Sequence, residues 1–209
     1  MQIKICGITC TADAVAAVES GADAIGLIFF AGSKRFIEPG AAAQIIASLP
    51  PYTSIVGLFV DANTSQVNEV LSRCALSQLQ FHGDESPAFC RSFNRPYVKS
   101  VPVSDATRME ALVKAHEGAR GYLFDTQVPG EHGGTGKTFD WRLMPPKNIG
   151  HRVLAGGLNA ENVAEAIRIG APDAVDVSSG VEVSPGAKDH DKMHRFIKAA
   201  MRADKVVGK

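Results

Sequence analysis

The chain alternates between short apolar runs and longer stretches with helical spacing. The apolar runs are Ile3 to Cys6, Ala24 to Phe30, Ser54 to Val60, Leu76 to Phe81, Tyr97 to Val101, Gly121 to Phe124, Val153 to Ala155 and Ala174 to Val177. Short and nearly continuous in hydrophobicity, they suit strands buried on both faces, as in parallel sheets. Helical spacing follows most of them. It predicts helices from a cap at Thr9 or Thr11 to about Ser20, from Glu38-Pro39-Gly40 to about Leu49, and from Ser65 to Arg73. Further helices are expected after Ser86-Pro87, over Asp105 to His116, over Ala160 to Ile169 behind an Asn159 cap, and over Asp189 to Met201. The starts and stops carry the usual chemistry: proline in a first turn, asparagine at a cap, and Gly21, Gly170 or Pro50-Pro51 at an end. After Gly121 to Phe124 a glycine-rich loop, Thr126 to Asp140, stands where a helix would come, then a short turn at Trp141 to Met144. Lys205 to Lys209 is expected to be a frayed tail.

Eight strands, each followed by a helix or a short substitute, argue for an all-parallel sheet. Eight units in one small chain argue for closure, so the expected fold is α/β: a single-domain (β/α)8 TIM barrel over residues 1–209. An open doubly wound sheet is the alternative. A barrel makes a demand on function, since chemistry then sits at the C-terminal ends of the strands. Those ends are Cys6, Phe30 to Arg35, Asp61, His82, Pro102, Asp125, Gly156-Gly157 and Ser178 to Gly180.

Composition narrows the class. The 209 residues are 45% hydrophobic and 21% charged, enough for a full core. With 22 basic and 22 acidic residues, no overall charge draws the chain to nucleic acid or a membrane surface. No apolar run approaches the ~18 residues of a membrane span, and no signal-peptide pattern opens the chain. Cys6, Cys10, Cys74 and Cys90 lack zinc-like or disulfide-framework spacing. A reducing, cytoplasmic setting is the expectation. No metal-ligand cluster and no G-x-G-x-x-G motif is present, so neither a metal nor a cofactor is expected.

Two turns near the C-terminus carry the first chemical signal. Gly156-Gly157 ends strand seven, and Ser178-Ser179-Gly180 ends strand eight. Small turns at the ends of neighbouring parallel strands can aim several backbone N–H groups at one anion, most often a phosphate. Either could be a plain tight turn; the pairing favours a phosphate site. Cys6 could be core packing or, at a barrel mouth, a thiolate base needing help from positive charge. Asp125 could be a solvated carboxylate or an enclosed acid that donates a proton. An acid and a base facing across one pocket is what an isomerisation needs. Arg35 could be a surface cation or a fork for a substrate carboxylate. Gln80 and His82 end strand four, where the histidine could support a catalytic group or act itself. Cys10, Cys74 and Cys90 read as structural.

The stretch Gly130 to Thr138 imitates a P-loop, but the position five before Gly136 is Glu131 rather than glycine. Gly133, Gly134, Thr135 and Gly136 read better as a lid over the pocket.

Taken together, Lys4-Ile5-Cys6-Gly7-Ile8-Thr9, Ser33-x-Arg35, Gln80-x-His82-Gly83, Asp125-Thr126, Gly133 to Trp141, Ala155 to Asn159 and Asp176 to Glu182 fall in an order that closely resembles the phosphoribosylanthranilate isomerase family of tryptophan biosynthesis. The likeness runs from Ile3 to the last helix; Phe81 stands where leucine is expected, an apolar exchange. It implies an Amadori rearrangement of a phosphorylated small molecule without a cofactor, by a monomer or homodimer. Asp125 would be the general acid at the ribose ring oxygen and Cys6 the general base at C2'. Arg35 would hold the anthranilate carboxylate. Gly156, Gly157, Ser178, Ser179 and Gly180 would hold the phosphate, supported by Asp176. Two rivals remain. The histidine-pathway isomerase needs a second phosphate turn after strand three, where Phe59-Val60-Asp61-Ala62-Asn63 has no glycine pair, and an aspartate where Cys6 stands. A phosphate-binding barrel without catalysis is the other, and intact Cys6 and Asp125 argue against it.

Overall fold

The computed structural model describes residues 1–103, 106–126 and 138–207. Eight parallel strands close into a barrel in sequence order. They are β1 (Gln2–Cys6), β2 (Ala24–Ile28), β3 (Ser54–Phe59), β4 (Gln78–Phe81), β5 (Tyr97–Val103), β6 (Gly121–Thr126), β7 (His151–Leu154) and β8 (Ala174–Val177). Closure is completed by β8 on β1, with Gln2 opposite Ala174 and Lys4 opposite Asp176. The helices α1 (Thr11–Glu19), α2 (Pro39–Ala47), α3 (Thr64–Arg73), α4 (Pro87–Arg91), α5 (Ala106–Ala115), α6 (Val163–Gly170) and α7 (His190–Val207) accompany them. No helix among the described residues is long and apolar enough to cross a membrane.

Strand alternation decides what each face carries. Ile3 and Ile5 of β1, Leu79 and Phe81 of β4, and Val175 and Val177 of β8 belong to the large core between barrel and helices. Tyr122 and Phe124 of β6 pack with Met109 of α5 in the same layer. Successive side chains on a strand point to opposite faces. Lys4 and Cys6, Gln78 and Gln80, Leu123 and Asp125, Ala174 and Asp176 therefore face the barrel interior. Lys4, Gln78, Gln80, Asp125 and Asp176 thus fall on the inward parity.

A buried ion pair ties three strand ends together. Lys99 of β5 donates to Glu85 Oε2 at 3.0 Å and to the carbonyls of Phe81 and Gly83. Glu85 in turn accepts the backbone N–H groups of Asp61 and Gly83. Both charged side chains are only 2% exposed, so neither is solvated if the other is lost. Glu85→Gln is expected to lower unfolding free energy by about 3–5 kcal/mol, because it leaves a buried ammonium without its counter-ion. Urea unfolding of both proteins checks this; coincident midpoints would remove the clamp from the account of stability.

Several boundaries depart from the sequence expectations. Cys10 occupies the N-cap of α1, and Thr9 instead donates from Oγ1 to the Gly186 carbonyl. Asn63 caps α3 in a capping box with Gln66. Pro102 lies within β5 rather than at its end. The expected short turn forms as a 3-10 helix at Trp141–Leu143, and a second, not foreseen, at Lys147–Ile149. After β8 come a 3-10 turn, Ser179–Val181, and an unforeseen hairpin of β9 (Glu182–Ser184) and β10 (Ala187–Lys188). The largest correction concerns the C-terminus: α7 continues to Val207, so the expected frayed tail is helical over 205–207. The N-terminal ammonium of Met1 donates to Asp204 Oδ2 at 2.7 Å, and Ala203 packs on the core, which pins that last stretch. The expected start of α5 at Asp105 and residues 208–209 lie outside the described residues.

Candidate active site

Cys6, Arg35, Gln80, His82, Asp125, Gly156, Gly157, Asp176, Ser178 and Ser179 line one pocket at the C-terminal mouth of the barrel. Each arrives there from a strand end or the turn just after it. The inward parity that places Lys4 and Cys6 on β1 does the same for Gln80 on β4 and Asp125 on β6. Residues far apart in sequence converge because the barrel gathers its strand ends.

Asp125, Gln80 and His82 form a row along one wall. Asp125 Oδ1 accepts the Thr126 backbone N–H at 2.7 Å. Its Oδ2 lies 3.5 Å from His82 Nε2, a contact rather than a short hydrogen bond. His82 Nδ1 is 3.3 Å from Gln80 Nε2. His82 thus stands beside the carboxyl and is itself oriented by Gln80.

Cys6 lies in the opposite wall, buried with Ile28, Leu58 and Val60. Burial pushes its thiol up, Lys4 opposes that, and Asp176 adds to it. Lys4 donates from Nζ to Asp176 Oδ2 at 2.8 Å. Burial works against the Lys4 charge, but Asp176 and Cys6 outweigh it and hold the ammonium above the ordinary lysine range. Asp176, expected to support the phosphate turns, lines the pocket with them and accepts from Lys4, while its Oδ1 has no hydrogen-bond partner among the described residues.

The two turns meet at the mouth. The first runs through Gly156 and Gly157 with φ of 83° and 63°, the left-handed region that glycine occupies without steric cost. Asn159 is not a cap directly on α6. Its Oδ1 accepts the N–H groups of Glu161 and Asn162, and α6 begins only at Val163. Asn162 closes the same turn by donating from Nδ2 to the Gly157 carbonyl at 2.9 Å. The second turn carries Ser178, whose buried Oγ has no hydrogen-bond partner among the described residues. A buried hydroxyl without a partner is costly, and an anion in this cradle would satisfy it.

Arg35 is more committed than the sequence suggests. Its Nε and Nη2 both donate to Glu182, each at 2.8 Å, in a bidentate pair. Lys188 Nζ also donates to Glu182 Oε1 at 2.7 Å and to the Ser178 carbonyl at 3.2 Å. Burial would raise the Glu182 carboxyl, but Arg35 and Lys188 outweigh it and keep it below the usual range. The β9–β10 hairpin exists to bring Glu182 and Lys188 under the second turn. Gly133, Gly134, Thr135 and Gly136, the expected lid, lie outside the described residues.

Lys4, Glu182 and Lys188 are the charged residues that sequence reasoning did not place. Lys4 had a signal: it is two residues before Cys6 on one strand and so shares its face. Lys188 had none, because the hairpin that carries it was not foreseen.

A closed (β/α)8 barrel with reactive side chains gathered at the strand C-termini defines an enzyme of the barrel class. The family model described as N-(5'-phosphoribosyl)anthranilate (PRA) isomerase matches residues 3–199. The chain is 54% identical over 198 residues to N-(5'-phosphoribosyl)anthranilate isomerase of Acidithiobacillus ferrooxidans, covering 94% of this chain and 96% of that one. It superposes on phosphoribosyl anthranilate isomerase from Thermotoga maritima with a TM-score of 0.89 and 44% identity, over 97% and 99% of the two chains. A further solved structure of a phosphoribosyl anthranilate isomerase, in complex with reduced 1-(o-carboxyphenylamino)-1-deoxyribulose 5-phosphate, gives 0.86 and 41% over the same shares. The chain belongs to the N-(5'-phosphoribosyl)anthranilate isomerase family.

Proposed function

We propose that this protein converts N-(5'-phosphoribosyl)anthranilate to 1-(2-carboxyphenylamino)-1-deoxyribulose 5-phosphate in tryptophan biosynthesis, with Asp125 as general acid and Cys6 as general base. The observation that carries the reading is the convergence of Cys6, Asp125 and the unpartnered Ser178 hydroxyl on one pocket. Asp125 gives its proton to the ribose ring oxygen as the C1'–O bond breaks, leaving a Schiff base. Cys6 takes the C2' proton, and the electron pair moves into the enolamine. Tautomerisation yields the ketone: C2' is oxidised and C1' reduced within one molecule, so no cofactor enters. His82, held by Gln80, sits where it can orient Asp125. The turns at Gly156-Gly157 and Ser178-Ser179-Gly180 hold the phosphate with backbone N–H groups and the Ser178 hydroxyl. The protein works in the cytoplasm, as a monomer or homodimer, on a small phosphorylated substrate rather than on nucleic acid or a membrane.

The test is turnover of freshly made phosphoribosylanthranilate, followed by loss of its fluorescence, with the product identified by mass. Binding of product without turnover would leave only a binding barrel.

Arg35 is the substrate-carboxylate group in this reading, although Glu182 occupies two of its N–H groups. The remaining N–H groups of the fork are left for the carboxylate in this reading, with Glu182 fixing its plane. Arg35→Lys is expected to raise KM by about tenfold or more, since an ammonium reproduces neither the planar fork nor the Glu182 pair. Steady-state kinetics check this; unchanged KM and kcat would take Arg35 out of the site.

A further inference from the structure

We propose that Lys4 is a positioning residue: anchored by Asp176, its ammonium is the counter-ion of the Cys6 thiolate. The inference rests on the reading of Cys6 as general base and assigns a role to a residue that reading leaves idle. Lys4 and Cys6 are two apart on β1, so both point into the barrel. Register sets Lys4 opposite Asp176 on one side, and Cys6 opposite Gly26 on the other. A Cβ at Gly26 would stand 2.7 Å from Cys6 Sγ and 3.1 Å from Lys4 Cε. The thiol and the lysine arm thus come together over the one place on β2 where the strand has no side chain.

The charges around the thiol single out Lys4. From β1 comes Lys4, from β8 Asp176, from β10 Lys188, and from the loop after β2 Arg35. His82 and Asp125 stand across the pocket. Lys188 and Arg35 are both bound to Glu182, so their charge is largely spent there. The walls supplied by β2 and β3 are Ile28 and Leu58, which carry no charge. A buried lysine–aspartate pair is a poor source of stability, since apolar residues of like volume often do as well. Its presence beside a base that burial disfavours is accounted for by the charge it supplies. The sign follows. Removing the Lys4 cation disfavours the thiolate; removing the Asp176 carboxylate frees the cation and favours it.

The experiment measures the thiol directly, without substrate. In a Cys10→Ser background, the rate of Cys6 alkylation by iodoacetamide is followed by peptide mass across a pH series. Cys74 and Cys90 are buried, and peptide mapping separates them from Cys6. Near neutral pH, Lys4→Met is expected to label about tenfold more slowly, the loss of thiolate that a one-unit rise brings. Asp176→Asn is expected to label several-fold faster. Purely structural roles would not move the two variants in opposite directions. Equal rates in Lys4→Met and wild type, or no acceleration in Asp176→Asn, overturn the proposal. Should Lys4→Met fail to fold, Lys4→Gln is measured in its place with the same expected slowing, because Asp176→Asn takes a carboxylate away from the thiol whatever Lys4 does. If labelling shifts as expected while wild type does not turn over phosphoribosylanthranilate, the counter-ion stands and the isomerase reading falls.

Discussion

Asp125→Asn and Cys6→Ala are each expected to lower kcat by ~10²-fold or more, up to ~10⁴-fold, the range that positioned acid–base groups supply. Asn is nearly isosteric with Asp and can still accept the Thr126 N–H, so the pocket wall at β6 keeps its shape. What disappears is the proton for the ribose ring oxygen. Alanine at position 6 leaves a small apolar gap and removes the acceptor for the C2' proton. KM should change little in both, because neither group is assigned to hold phosphate or carboxylate. The pH dependence separates the two roles. The proposed mechanism requires Cys6 without its proton and the acid with one, so kcat/KM in wild type should follow a bell whose limbs are macroscopic constants of the pair. Burial pushes the Cys6 thiol up, so the limb set by the thiol lies on the alkaline side of a free thiol's range. Cys6→Ala should lose that limb and retain the other. A near-normal rate in one variant would pass its role to another group, and His82, 3.5 Å from Asp125, is the first substitute.

Much of this site was legible because a barrel brings the C-terminal ends of its apolar runs to one mouth. Cys6, Gln80, Asp125 and Asp176 each lie at or near the end of such a run, and in the structure all fall on the inward parity of their strands. The strand ends could therefore be named before any coordinates. Charge pairing was not legible. That Arg35 meets Glu182, 147 positions away, depends on a hairpin whose two short strands carry no strong alternation. Asp176 was placed with the phosphate turns only by the family resemblance. In the barrel, residues two apart across a strand end diverge: Asp176 stays inside the ring, where register sets it against Lys4, while Ser178 rises into the turn. The end of α7 was misjudged for a related reason. A polar, lysine-rich tail looks frayed until the Met1 ammonium is brought to Asp204.

Gly180→Ala should cripple substrate binding more than any other single change outside the reacting pair. The second turn lies directly against the first: a Cβ at Gly180 would stand 1.9 Å from the Leu158 carbonyl oxygen and 2.9 Å from its carbon. Neither atom belongs to a flexible side chain, so one turn must move away from the other. The proposed phosphate cradle between the turns is then distorted, and the Ser178 hydroxyl moves with it. Losing roughly 3 kcal/mol of charge-assisted hydrogen bonding corresponds to about 10²-fold in affinity. Phosphate binding energy also holds the reacting end of the substrate in place, so kcat/KM should fall by about 10²-fold or more. The cost to folding is smaller, about 1–3 kcal/mol for overpacking a tight site. The checks are kcat/KM, binding of inorganic phosphate to the substrate-free protein by calorimetry, and a thermal melt. A folded Gly180→Ala protein that binds phosphate as wild type does would show that the anion sits elsewhere, and the paired turns would be plain turns after all. Loss of phosphate binding with the melt nearly intact would fix the anion to the junction of β7 and β8, on the rim between the Cys6 and Asp125 walls.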